Sequence, residues 1–244
     1  MKYLKAPDPM KNIIIFGASG HGSVVLDILE SEGLYQPVGF LDSYKPKGTK
    51  KNGYEVLGTS YDLPYLIETF NIHGGIVAIG DNWIRRTIVK RILSIVPSFR
   101  FVSAVHPSAS IGKDVQIGQG SVIMPGVIVN ANSRVGQHCI LNTLSSLGHD
   151  GLMDDFSSLA PRVGTGGNFK LGYCSAVSLG ANVVENIQVA EHAVIGAGSL
   201  VMNDIPSNAV AFGSPARVVR SREIGESYLT GNRYRQRSTV TGDL

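Results

Sequence analysis

From Val105 to Val201 the chain counts in sixes. Stepping by six gives Val105, Ile111, Ile117, Ile123, Val129, Val135, Leu141, Leu147, Met153, Leu159, Thr165, Leu171, Val177, Val183, Val189, Ile195 and Val201; of these 17 positions only Thr165 is not aliphatic or Met. Two residues before this row the chain favours small groups: Ser121, Cys139, Ser145, Ser157, Ser175, Ala193 and Ser199. A helix would scatter residues six apart over different faces, and a flat amphipathic strand alternates in twos. A period of six sustained this long predicts a solenoid in which each hexad is one short strand and one corner. Three hexads close a triangular coil of about 18 residues, with stacked strands about 4.7–4.9 Å apart.

Upstream of the repeat the pattern is of another kind. Residues 12–16, Asn-Ile-Ile-Ile-Phe, are a continuous apolar run suited to a buried parallel strand. Gly17-Ala18-Ser19-Gly20-His21-Gly22 follows, and residues 23–32 then carry Val24, Val25, Leu26, Ile28 and Leu29 at helical spacing. Strand, glycine turn and helix in that order leave free backbone N–H groups at a helix N-terminus, ready for an anion. A second strand over 37–41 ends at Asp42, placed to reach a ribose or a base edge. A short strand at 54–57, a helix over 61–70, a strand at 75–79 ending in Gly80-Asp81-Asn82, a helix over 83–96 and a last strand at 99–102 complete a doubly wound α/β unit. The expected division is an α/β domain over 1–103, a solenoid over 104–220 and a polar tail over 221–244 that lacks periodicity and reads as mobile.

The glycine turn has the form GxxGxG rather than the GxGxxG of dinucleotide folds, and the unit has room for one mononucleotide half. NAD(P), the nucleotide of a nucleotide sugar, and a merely structural turn all remain open on the residues alone. Composition narrows the class. In 244 residues the net charge is +3 and aromatics are 7%, which is no nucleic-acid footprint. No run approaches 18 apolar residues, so no membrane span is expected. The segment 1–12 lacks the apolar stretch of a signal peptide, and two cysteines are too few for a disulfide framework. A cytoplasmic protein is the expectation.

Ile-Ile-Phe-Gly-Ala-Ser-Gly-His-Gly, a strand ending Gly-Phe-Leu-Asp, then Ala-Ile-Gly-Asp-Asn with a following Arg, then hexads, resembles the bacterial sugar acyltransferases. That family includes sialic-acid O-acetyltransferases and N-acetyltransferases of nucleotide-linked 4-amino-4,6-dideoxy sugars. The resemblance covers residues 12 to about 220. It implies a small Rossmann-like α/β domain followed by a left-handed parallel β-helix, although the usual crossover rule favours the opposite hand. It also implies a homotrimer with active sites between neighbouring prisms, acetyl-CoA as co-substrate and a nucleotide-linked amino sugar as acceptor. By the same resemblance Gly17, Ser19, Gly20, His21, Asp42, Gly80, Asp81, Asn82 and Arg85 would line the nucleotide pocket, and Asn142 and Thr143 would position the sugar. Ser158, Gly167, Leu179 and Ala197 would lie along the acyl donor, with Pro215 and Arg217 near its adenine and phosphates.

Acyl transfer to an amine or hydroxyl needs a base within hydrogen-bond reach of the attacking group. His149 with Asp150 supplies an imidazole and an orienting carboxylate, provided the chain turns a corner between them. One coil further on stands Gly167, whose missing side chain would leave room above the imidazole and whose N–H could meet developing negative charge. The alternative is that the glycines of Gly164-Thr165-Gly166-Gly167 relieve a tight corner. The family commonly carries a second histidine nine residues after the first; here that position is Ser158. A metal site is not expected, because His138 and His192 share a face but lie three coils apart, about 14 Å at strand spacing. The expectation is an acetyl-CoA-dependent N-acetyltransferase, with a sugar O-acetyltransferase or a non-catalytic sugar-nucleotide-binding trimer as alternatives.

Overall fold

The structure is a computed structural model that describes residues 10–229. Its first part is a parallel sheet with helices on both faces. In chain order come β1 (Lys11–Phe16), α1 (Gly20–Glu32), β2 (Tyr35–Leu41), β3 (Lys50–Lys51), β4 (Tyr54–Gly58), α2 (Leu63–Phe70), β5 (Ile72–Val77) and α3 (Asn82–Ile95). The strand order is β3-β4-β2-β1-β5, with β3 antiparallel. β1 is central and apolar on both faces: Ile13, Ile14 and Ile15 are fully buried. The strand expected at 99–102 is reduced to a bridge, in which Gly75 N–H donates to Arg100 O and Val102 N–H to Gly75 O.

The hexads then build a left-handed parallel β-helix. Each strand is two residues long and pairs with the strand 18 residues on, as in Ile128↔Ser146 and Val129↔Leu147. One face stacks Ala104–Val105, Val122–Ile123, Ile140–Leu141, Ser158–Leu159, Ala176–Val177 and Val194–Ile195. A second stacks 110–111, 128–129, 146–147, 164–165, 182–183 and 200–201, and a third stacks 116–117 to 188–189. The row of sixes points inward, and from Ile123 to Val201 its aliphatic members are buried. Ile111 is 39% exposed because the first coil has no coil beneath it on that face. The small row also faces inward, where the hydroxyls of Ser121 and Ser175 satisfy the corners. Ser121 donates to Gly136 O and accepts from Cys139 N–H, and Ser175 does the same with Ala190 O and Ala193 N–H.

Every corner places one residue in the left-handed region, from Asp114 through Gly120, Asn132, His138, Leu144, Asp150 and Phe156 to His192. Non-glycine residues there are disfavoured by about 1 kcal/mol or more each, and stacking holds them. The glycines of 164–167 are not among these residues; Asn168 is, with φ 56°. Close backbone stacking is what requires Gly166, and Gly148 one coil below it. A Cβ on Gly166 would come within 2.5 Å of Glu185 N, and one on Gly148 within 2.0 Å of Gly166 O.

The two parts share one core. α1 packs on Ala104–Val105, and Val25, Leu26 and Leu29 belong to the same buried cluster as Ile123 and Leu141. Past the last coil a hairpin, Ala209–Gly213 with Ala216–Ser221, extends the first face. The chain expected to be mobile from 221 onward is docked at least as far as Leu229; the rest of that tail lies outside the described residues.

Candidate active site

Three places collect the residues singled out by sequence. The first is the corner that follows Ser146–Leu147. Asp150 takes φ 57°, turning the chain so that its carboxylate meets the preceding imidazole, with His149 Nδ1 2.7 Å from Asp150 Oδ2. The hydrogen bond from His149, and a second from Asn132, hold the Asp150 carboxyl below the usual carboxylate range. An ionised acceptor at Nδ1 places the proton there and leaves Nε2 as the free base. Directly above lies Gly167: a Cβ there would stand 2.3 Å from Nε2 and 2.5 Å from Cε1. Thr165, the one break in the aliphatic row, is part of this corner. The ladder pairs Ser146 with Gly164 and then opens, and Thr165 Oγ1 takes the Gly148 N–H at 3.0 Å. Sequence reading treated Thr165 as an irregularity; its position one coil above Leu147 was the signal.

The second place is a cavity of about 260 Å³ at the carboxyl end of the sheet, lined by Gly17, Asp42, Ser43, Tyr44, Ser60 and one side of α3. Asp42 is spent on the backbone. It accepts N–H groups from Ala18, Tyr44 and Lys45, tying the glycine turn to the end of β2. Gly17 is required, since φ is 108° and a Cβ would meet Ala78 O at 2.9 Å. Ser19 and Gly20 are exposed at the head of α1. The lining residues Ile84, Thr87, Ile88 and Arg91 went unrecognised, although their i, i+3, i+4, i+7 spacing marks one face of α3.

The third place is a groove of about 340 Å³ along the first face, lined by Asn142, Ser158, Leu179, Ala197 and, from the α/β side, His21 and Gly80. Ile140, Leu159, Ala176 and Val177 give it aliphatic walls, with Ser178 and Tyr228 as further polar members. His21 therefore belongs to this groove and not to the cavity at Gly17 and Asp42. Burial, with the Arg85 charge added, lowers its pKa to about 4 and keeps the ring neutral. Thr143 sits at the next corner, its N–H taken by Asn142 Oδ1. Pro215 and Arg217 lie on the hairpin that extends this face.

Arg85, Asn82 and Asp81 do not line the cavity at Gly17 and Asp42. Arg85 is fully buried between the two parts of the chain, and all five of its N–H groups are used. They go to His138 O, Ile79 O, Gly80 O, Asn82 Oδ1 and Phe156 O. Asn82 Nδ2 donates to Ser175 O, and Asp81 caps α3 by accepting from Trp83 and Ile84 N–H. A guanidinium with no donor left binds no phosphate. The motif is a clamp between the sheet and the prism. His138 and His192 join it in an aromatic row with Phe101, Phe156, Tyr173 and Trp83. Among the described residues no group of three or more His, Cys, Asp or Glu is placed to hold a metal.

Residues 12–92 match the PglD N-terminal domain, and residues 108–143 match the bacterial transferase hexapeptide (six repeats). PerB from Caulobacter crescentus, solved in complex with CoA and GDP-perosamine, is 30% identical with a TM-score of 0.80, over 86% of this chain and 98% of that one. The acetyltransferase domain of PglB from Neisseria gonorrhoeae, solved with acetyl coenzyme A, is 32% identical with a TM-score of 0.79, over 86% of this chain and all of that one. The chain belongs to the hexapeptide-repeat sugar acyltransferases. A further relative of this acyltransferase, the GDP-perosamine N-acetyltransferase of Escherichia coli O157:H7, is 28% identical over 208 residues, 82% of each chain. Buried thiols on this acyltransferase, Cys139 and Cys174, are each pushed up to about 11 by burial. A thiol in that range is a poor nucleophile at neutral pH.

Proposed function

We propose that the protein transfers the acetyl group of acetyl-CoA to the C4 amine of a nucleotide-linked 4-amino-4,6-dideoxy sugar. The observation that carries the mechanism is the His149–Asp150 pair beneath Gly167, where 2.3 Å separates the ring from where a side chain would begin. The relatives solved or named with GDP-perosamine favour an amine over a hydroxyl as acceptor.

Acetyl-CoA supplies the activated acyl carbon as a thioester. His149 Nε2 accepts the proton of the C4 amine as its lone pair attacks that carbon, and the imidazolium then returns the proton to the departing sulfur. Asp150 holds Nδ1–H and stabilises the ring while it is charged. The Gly167 N–H, which makes no hydrogen bond within the described residues, meets the oxygen on which negative charge develops. The nucleotide occupies the cavity at Gly17 and Asp42, and the pantetheine arm runs along the groove at Ser158, Leu179 and Ala197.

Within one chain the His149 corner and this groove lie on different edges of the prism. A homotrimer, in which each site takes its imidazole from one protomer and its groove from the next, resolves that separation. We assign the reaction to the cytoplasm, where acetyl-CoA is available; no helix among the described residues is long and apolar enough to cross a membrane.

A thiol-release assay with acetyl-CoA across UDP-, dTDP- and GDP-linked 4-amino sugars tests the reading. Turnover with one of them, lost by orders of magnitude in His149→Ala while CoA still binds, is the expected result. Unchanged turnover in that variant refutes the role of His149.

A further inference from the structure

The groove on the first face has a wall that the hexads do not build. After the hairpin the chain turns back across α3. Arg222 is buried and donates to His192 O at 2.9 Å, while its own N–H is bound to Asn208 O at 2.8 Å. Its second guanidinium nitrogen engages Glu226 O, and the Glu226 carboxylate is gripped by Arg220 at 2.7 and 3.2 Å. Gly225, at φ 82°, lies flat against the Trp83 indole, where a Cβ would stand 2.7 Å from Nε1. These clamps carry the next residues into the groove. The Tyr228 hydroxyl lies 3.5 Å from Ser158 Oγ, and Leu229 closes over Gly80. The Tyr228 ring has the Arg222 guanidinium 5.9 Å from its centroid.

We propose that residues 222–229 form a strap that builds the outer wall of the acyl-donor groove, and that the Tyr228 hydroxyl, paired with Ser158, is a binding contact for the donor. The proposal rests on the reading of this groove as the donor site. A long, amide-containing arm lying in an aliphatic trough needs a few fixed polar groups to hold its register. Here the hexads supply Asn142, Ser158 and Ser178, the α/β unit supplies His21, and the strap adds a phenol. Burial raises the Tyr228 pKa, against the pull of the Arg85 charge, so the group is a neutral donor throughout the working range. The solved relatives are spanned over 98–100% of their length, but only 86% of this chain is spanned in return, so this chain carries segments without a counterpart in them.

The test uses the full-length protein with Tyr228→Phe and Tyr228→Ala. CoA affinity is measured by calorimetry, KM is measured separately for acetyl-CoA and for the sugar nucleotide, and the thermal midpoint is recorded. Loss of one hydroxyl contact should weaken CoA about 3- to 10-fold in Tyr228→Phe, and loss of the ring as well should weaken it further in Tyr228→Ala. KM for acetyl-CoA should rise in parallel, with KM for the acceptor within twofold and the midpoint unchanged in Tyr228→Phe. Unaltered CoA affinity in both variants, a joint rise of both KM values, or tighter CoA binding in Tyr228→Ala (a plug rather than a wall) overturns the proposal. If CoA binding depends on Tyr228 but no sugar is acetylated, the acceptor assignment falls and the strap stands; if the protein binds no CoA, both fall.

Discussion

Adding one methyl group at Gly167 perturbs the His149–Asp150 corner and little else in the molecule. The backbone there does not lie in the left-handed region, so alanine is admissible, and its N–H is kept. The new Cβ would begin 2.3 Å from His149 Nε2, whereas ordinary contact starts at 3.4 Å. Nε2 must therefore retreat by about 1 Å, and the 2.7 Å bond from Nδ1 to Asp150 must lengthen or break. A misplacement of about 1 Å in a reacting geometry costs on the order of 100-fold in rate. The fold should tolerate the change. The His149 side chain is 63% exposed and free to swing outward, and substitutions of that kind lie within about 0.5 kcal/mol of neutral. In the thiol-release assay Gly167→Ala should lose about 100-fold in kcat, with the thermal midpoint within about 2 °C of wild type. A kcat within twofold of wild type would show that the imidazole is not the working base or that the notch above it is not used.

Two more predictions follow from the clamp. Arg85→Ala strands five acceptors inside the junction, so unfolding free energy should fall by about 3 kcal/mol or more. That is a drop of roughly 10 °C in midpoint for a chain of this size; a higher KM for the sugar nucleotide with an unchanged midpoint would return Arg85 to the nucleotide pocket. His21 and His138 are both lowered from 6.5 to about 4, chiefly by burial and then by the Arg85 charge. Protons therefore bind the unfolded chain first, and stability that is complete above pH 6.5 is lost as the pH falls toward 4, by roughly 3 kcal/mol for each ring. Denaturant midpoints between pH 7.5 and 4.5 should show this slope, and His138→Phe, which fits the row between Phe101 and Phe156, should reduce it. An identical slope in that variant would rule the His138 contribution out.

Spacing alone was enough to specify the prism, because a two-residue strand with one inward side chain is a local event repeated every six residues. The same locality made the His149–Asp150 corner legible. His149 and Gly167 are one coil apart in number, hence one strand spacing apart in space, and Asp150 needed only a left-handed φ to reach the ring. The α/β order was readable for a similar reason, since β1 carries the apolar run of residues 13–16 and β2 and β5 end in short buried stretches, Gly39-Phe40-Leu41 and Gly75-Ile76-Val77. What tertiary structure decided is everything at the junction. Family resemblance put Arg85 in the nucleotide pocket, and only the approach of the 138–156 corners shows its five donors consumed. His21 stands within the glycine turn in sequence, yet the way α1 packs on the first coils turns it toward the groove at Ser158. Tyr228 stands 70 residues from Ser158 in a polar stretch without periodicity. Contacts of that kind depend on how the α/β part packs on the prism and on where a chain returns, and no repeat in the sequence encodes either.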